Sequence, residues 1–201
     1  MHIADQLARA ARDGDAAAAT QLLGAGAQVD ALSMAGRAAL DLAVHAGHAE
    51  TVRVLLAGGA DLLQRAGEYG ELTPMCLAAM HGHAAVVEVL LAAGAPTGAQ
   101  GRMGYVPLVL AATATDHGHP QTVDVLLLHG ADINGVMKDK TSLEWAAALG
   151  NLQMVHHLLV RGATPTAKAL SRARAGGERS PEAATKYMLI VDALHAAGIE
   201  D

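Results

Sequence analysis

Eleven histidines in a chain of 201 residues are the side chains best suited to chemistry, and several of them stand close together. His81-Gly82-His83 and Asp116-His117-Gly118-His119 set imidazoles, in one case with a carboxylate, at spacings that suit a metal ion or a proton relay. A zinc site brings three or four ligands at about 2.0–2.3 Å, often with cysteine, and Cys76 is the only cysteine here. Asp116 beside His117 is a candidate acid–base pair, and Tyr69, His81 and Tyr105 are candidates to line a pocket for a small molecule. No nucleophile motif, phosphate-binding glycine loop or paired-carboxylate pattern accompanies them. The expectation is a protein with no metal and no cofactor, with catalysis kept as an alternative. His156-His157 lies in an apolar segment and reads as a surface or packing pair.

Composition narrows what can position these side chains. Hydrophobic residues make up 52% of the chain, yet aromatics are 2% and Phe is absent, so the core must be filled by Ala, Leu and Val. Small side chains let helices approach closely, which points to an all-α fold. A formal charge of −6 disfavours nucleic acid as a partner. Lys168, Arg172, Arg174 and Arg179 form a basic patch near the C-terminal end, read as a solvated face rather than a phosphate site. A single cysteine excludes an intramolecular disulfide and suits a reducing compartment. The segment Met1–Leu7 has neither the basic start nor the apolar stretch of a secretory signal, and no apolar run reaches membrane-spanning length. A soluble, cytoplasmic, monomeric protein is expected.

Internal repetition carries the strongest signal. A Leu-Leu-x-x-Gly-Ala phrase occurs at Leu22–Ala27, Leu55–Ala60, Leu90–Ala95, Leu126–Ala131 and Leu158–Ala163, with a decayed copy at Leu194–Ile199. Its glycines, Gly26, Gly59, Gly94, Gly130, Gly162 and Gly198, are separated by 33, 35, 36, 32 and 36 residues. Gly14, Gly47, Gly82, Gly118 and Gly150 each precede one of these glycines by 12 residues, and three of them form Gly-His pairs with His48, His83 and His119. Between the paired glycines run segments such as Val86-Val87-Glu88-Val89-Leu90-Leu91, apolar at helical spacing. A shorter helix precedes each pair, seen best in Thr73-Pro74-Met75-Cys76-Leu77-Ala78-Ala79, where Thr73 can cap and Pro74 needs no donor. Val106–Ala112 and Thr141–Ala147 are further copies.

This phrase resembles the ankyrin Thr-Pro-Leu-His-Leu-Ala-Ala, and Ala131-Asp132-Ile133-Asn134 resembles the ankyrin Ala-Asp-Val-Asn that opens a β-hairpin finger. The resemblance covers essentially the whole chain. It implies an all-α ankyrin-repeat solenoid of helix–turn–helix units with β-hairpin fingers, forming one domain over 1–201. The units fall at about 2–31 (a cap), 32–64, 65–99, 100–135, 136–167 and 168–201 (a cap). In the first cap a helix is expected around Asp5–Arg12. In the last, helices are expected over Lys168–Arg174 and Glu182–Ala197, joined by a loop at Gly176–Pro181. The resemblance also makes His48, His83 and His119 structural. His45, His81 and His117 remain, one per unit, and adjacent units are too far apart for one metal ion to take all three without the side chains bending.

Ankyrin proteins bind other proteins through their finger tips and first helices, on the concave face. The register places Met34, Tyr69, Arg102, Met103 and Met137 at finger tips, and Arg37, Leu72, Tyr105 and Lys140 just after the finger glycine. Met80 and His81 end a first helix. Tyr, Met and Arg suit docking surfaces. Two length anomalies add to the set. The Leu62–Leu72 finger, holding Tyr69, is longer by two residues, and the stretch from Val106 to Gly118 is longer by three, lengthening a helix or turn at Thr113–His117 that carries Asp116. The leading expectation is a non-catalytic intracellular module that binds a partner protein on this face. The alternative is a groove for a small apolar molecule, acted on through shape and acid–base residues.

Overall fold

The computed structural model describes residues 2–65, 71–101 and 103–199. These form helix pairs in succession: α1 (Ile3–Asp13) and α2 (Ala16–Gly24), α3 (Ala39–Ala46) and α4 (Ala49–Ala57), α5 (Pro74–His81) and α6 (Ala84–Ala92). There follow α7 (Pro107–Thr113) and α8 (Pro120–Leu128), α9 (Ser142–Ala148) and α10 (Leu152–Val160), α11 (Ala167–Arg179) and α12 (Ala184–Ala196). The one regular ladder among the described residues is β1 (Val136–Met137) against β2 (Lys140–Thr141), antiparallel, in the finger before α9.

Local chemistry explains where the helices begin and end. The Thr73 hydroxyl accepts from the Cys76 amide at 3.3 Å, and Pro74 follows at the first helical position. Thr141 and Glu144 cap α9 reciprocally: the Thr141 hydroxyl accepts from the Glu144 amide at 3.2 Å and Glu144 Oε2 accepts from the Thr141 amide at 3.4 Å. The glycines of the repeated Leu-Leu-x-x-Gly-Ala phrase all take left-handed backbone, with φ between +82° and +97°, where a side chain would be strained.

Each first helix packs on the next, from α1 through α3, α5, α7 and α9 to α11, and the second helices α2, α4, α6 and α8 stack behind them. One contiguous apolar core runs from Leu7 to Leu194, built mostly of Ala, Leu and Val. The outer stack is less close at one place: α8 and α10 approach less than the other consecutive outer helices do.

The final unit departs from expectation. Gly176 and Gly177, read as a loop, lie inside α11, which continues to Arg179, and a 3-10 turn at Pro181–Ala183 replaces the first residues expected of the last helix. The Tyr187 ring on α12 presses against Gly176, and a Cβ there would collide with it. Glycine is needed at that point for close helix approach, not for a turn.

Candidate functional site

The finger before α3 turns at Ser33–Arg37, where the Gly36 amide donates to the Ser33 carbonyl at 2.8 Å and the Ser33 hydroxyl donates to the Arg37 carbonyl at 2.9 Å. The Met34 amide donates to Asp5 Oδ1 at 2.8 Å, tying the finger to α1 while leaving the Met34 side chain 93% exposed. Arg37 folds back to an ion pair with buried Asp41 of α3. Its guanidinium is therefore engaged inside the molecule.

In the finger before α7, Gln100 and Tyr105 exchange backbone hydrogen bonds of 2.7 and 2.9 Å, which lifts Met103 to the tip, 46% exposed. Tyr105 is half-buried against the core, and the Lys138 ammonium lies 5.9 Å from its ring centroid. Leu72 is half-buried beside Leu63 and Met103, around a cavity of about 150 Å³. Tyr69 and Arg102 lie outside the described residues. In the finger before α9, Lys138 and Asp139 take positive φ to close the two-residue turn. Met137, expected at a tip surface, is buried. Strand alternation turns it inward, and its carbonyl accepts from Trp145 Nε1 at 3.1 Å.

Trp145 is the residue that sequence reasoning missed. It fills the slot held by buried Leu77 two units earlier, but it is half-exposed and the Lys140 ammonium sits 4.1 Å from its ring centroid. The signal was available, since it is the only tryptophan of an aromatic-poor chain.

At the ends of the first helices the imidazoles split into two sets. His48, His83 and His119 each lay the ring on the glycine of the preceding unit, Gly14, Gly47 and Gly82, so closely that a Cβ could not fit. Each donates through Nε2 to the carbonyl two residues before that glycine, namely Arg12 at 3.1 Å, His45 at 3.0 Å and Met80 at 3.1 Å. Met80 is thereby half-buried with its carbonyl engaged. The other set is exposed. His81 meets His45 edge-on at 4.8 Å between centroids and stacks on His83 at 5.8 Å. Desolvation, then the neighbouring His45, His83 and His119, hold the His81 imidazole below its ordinary pKa.

Asp116 and His117 stand exposed on the turn that follows α7, so the three extra residues lengthen the turn and not the helix. No hydrogen bond joins them among the described residues. Among the described residues no group of three or more His, Cys, Asp or Glu is placed to hold a metal ion. No described helix is long and apolar enough to cross a membrane.

Paired helices, left-handed closing glycines and imidazole locks from unit to unit set the fold, and comparison with known families agrees. A family model described as ankyrin repeats, in three copies, matches residues 7–101, and a single ankyrin-repeat model matches 103–140. The chain belongs to the ankyrin-repeat family. No curated protein matches it. Ankyrin repeats are in general protein-interaction modules, and the finger and first-helix side of this ankyrin-repeat protein carries Met34, Met103, Tyr105, Lys140 and Trp145.

Proposed function

We propose that this ankyrin-repeat chain is a non-catalytic intracellular binding module that holds a partner protein against its fingers and first helices, as one domain of six units. The observation that carries this reading is the row of exposed apolar side chains at successive fingers: Leu32 and Met34, then Leu63, Met103 and Val136. Such side chains gain by leaving water when a partner covers them, and methionine adapts to irregular surfaces. Tyr105, Trp145 and Lys140 supply aromatic and cationic contacts beside the row, with Leu72, Met80 and His81 at its floor. The cavity at Leu72 and Met103 is smaller than the roughly 300–1,000 Å³ of ordinary ligand pockets. Exposed, separate Asp116 and His117 supply no assembled acid–base site, so a protein surface is favoured over a small apolar ligand.

The test is affinity capture from the native host with the wild-type chain beside Met103→Ala and Trp145→Ala, followed by calorimetric titration of the captured protein. A partner whose affinity falls by about 2 kcal/mol or more in Met103→Ala with unchanged melting midpoint, or in Trp145→Ala at a temperature where that variant is fully folded, supports the reading. A partner bound equally by all three chains contradicts it.

A further inference from the structure

We propose that the groove between α9 and α11 receives an acidic, carboxylate-bearing segment of the partner protein. The inference rests on the first-helix side being the working face and names the chemistry bound at its C-terminal end. The groove, about 730 Å³, is lined by Ala148 at the end of α9 and by Lys168, Ser171, Arg172, Ala175 and Arg179 of α11. Spacings of three, four, seven and eleven residues from Lys168 put these α11 side chains on one face of the helix. Three cations and a hydroxyl thus line it, and no carboxylate does.

Two further observations point to a ligand. The Arg172 Nε is buried and has no hydrogen-bond partner, although a buried guanidinium donor ordinarily finds one. Arg179 is steadied at the rim, its Nε donating to the Ala175 carbonyl at 2.9 Å, which leaves the rest of the guanidinium toward solvent. A carboxylate entering the groove can accept from Arg172 and pair with Lys168 and Arg179 in the geometry that guanidinium groups favour.

The charge distribution of the whole chain says why the segment is short and belongs to a protein. Residues 136–201 hold eight of the 14 Lys and Arg but only seven of the 20 Asp and Glu, and all four lysines are among them. The rest of the chain is strongly acidic. A long polyanion lying along the solenoid would be repelled outside this groove, whereas a local run of Glu and Asp is attracted to it and repelled elsewhere, which fixes its register.

The experiment is fluorescence anisotropy with the full chain and a labelled peptide rich in Glu and Asp, beside the same peptide with Gln and Asn. Competition by inorganic phosphate and by a short uridine-rich RNA forms the other arms. The acidic peptide is expected to bind at least about tenfold more tightly than its amide twin. Lys168→Gln/Arg179→Gln, both exposed positions that leave the fold intact by thermal melt, should lose about tenfold, and Arg172→Lys should retain more affinity than Arg172→Gln. Arg53→Gln on α4 removes one positive charge, as Arg172→Gln does, but far from the groove, and should bind as wild type. Equal binding of the two peptides, groove variants no weaker than Arg53→Gln, or tighter binding of RNA or phosphate than of peptide would each overturn the assignment. If a captured partner loses affinity in Trp145→Ala but not in the groove variants, the groove fails while the finger surface stands.

Discussion

Tyr187 takes, at the last joint of the solenoid, the place that an imidazole takes at the first three. Its ring lies on Gly150 and Gly176, and its hydroxyl donates to the Ala148 carbonyl at 3.2 Å, two residues before Gly150. The carbonyl position is the same as for His48, His83 and His119; only the ring differs. Gly176→Ala should therefore destabilise the chain by about 1–3 kcal/mol although alanine is the better helix former, because overpacking against the ring outweighs propensity. Tyr187→Phe should cost about 1 kcal/mol through the lost hydrogen bond. Denaturant melts check both, and a Gly176→Ala chain more stable than wild type would contradict the packing account. Sequence reasoning took the Gly176-Gly177 pair for a loop because two adjacent glycines punctuate turns; the ring that requires Gly176 lies eleven residues further on, in a contact that local pattern cannot show. Cys76 illustrates the opposite case. It is buried, with its thiol pKa pushed up chiefly by burial, so it should resist thiol reagents in native buffer and react only as α5 opens. A rate equal to that of the unfolded chain would refute this.

Among the elements, the joint between α8 and α10 stands apart. The imidazole register holds Asn151 here, buried, capping α10 through Met154, whose methyl group fills the space over Gly118. The outer helices are less close, and a polar bridge spans them: Asp124 of α8 accepts from His157 Nε2 at 2.7 Å and from Arg161 Nε and Nη2 at 2.8 and 2.7 Å. The hydrogen bond from Arg161 leads the causes that hold the Asp124 carboxyl below its usual pKa. A carboxyl depressed in the folded state adds stability above its unfolded pKa of about 4, lost as pH falls through the folded value. Asp124→Asn should lower the melting midpoint at neutral pH, and the gap to wild type should close below about pH 4. A gap independent of pH would show that the carboxylate charge is not what holds the joint. His81 titrates in a higher window. Its imidazole, depressed when folded, disfavours the fold once the unfolded chain takes up a proton, so stability should decline as pH drops below about 6.5. His81→Gln should flatten the thermal-melt midpoint between about pH 6.5 and 5, and an unchanged slope would remove the imidazole cluster as its source. The histidine locks were legible as a family phrase, whereas the bridge was not. Asp124, His157 and Arg161 lie 33 and 37 residues apart, on the outward faces of two helices whose separation no repeat length encodes.

At the scale of the molecule, the repeat phrases made helix pairs, closing glycines and finger positions readable from sequence. The same small set of contacts recurs in phase, and each copy corroborates the others. Surface identity was less legible: register placed Met137 at a tip, but the two-residue hairpin turned it inward, and Arg37 was claimed by buried Asp41. The chain's stability should show the same nearest-neighbour logic. Leu90 of α6 and Leu194 of α12 occupy the same position of the repeated phrase, and both are fully buried. α6 packs against α4 on one side and α8 on the other, while α12 packs on α10 alone in the outer stack. Truncating either leucine to alanine removes the same atoms, so any difference between them measures how far the surroundings can relax into the space. A central helix is fixed from both sides and keeps its cavity, and a terminal helix can settle inward or open locally without unfolding the rest. Leu90→Ala should therefore cost about 2–5 kcal/mol with a cooperative transition, and Leu194→Ala less, with hydrogen exchange accelerated in α11 and α12 before the other units. Denaturant melts with exchange mass spectrometry decide it. An equal or greater loss at Leu194, with exchange raised throughout the chain, would mean that the solenoid melts as a single unit and that its last helix pair is a full participant in the core rather than a cap.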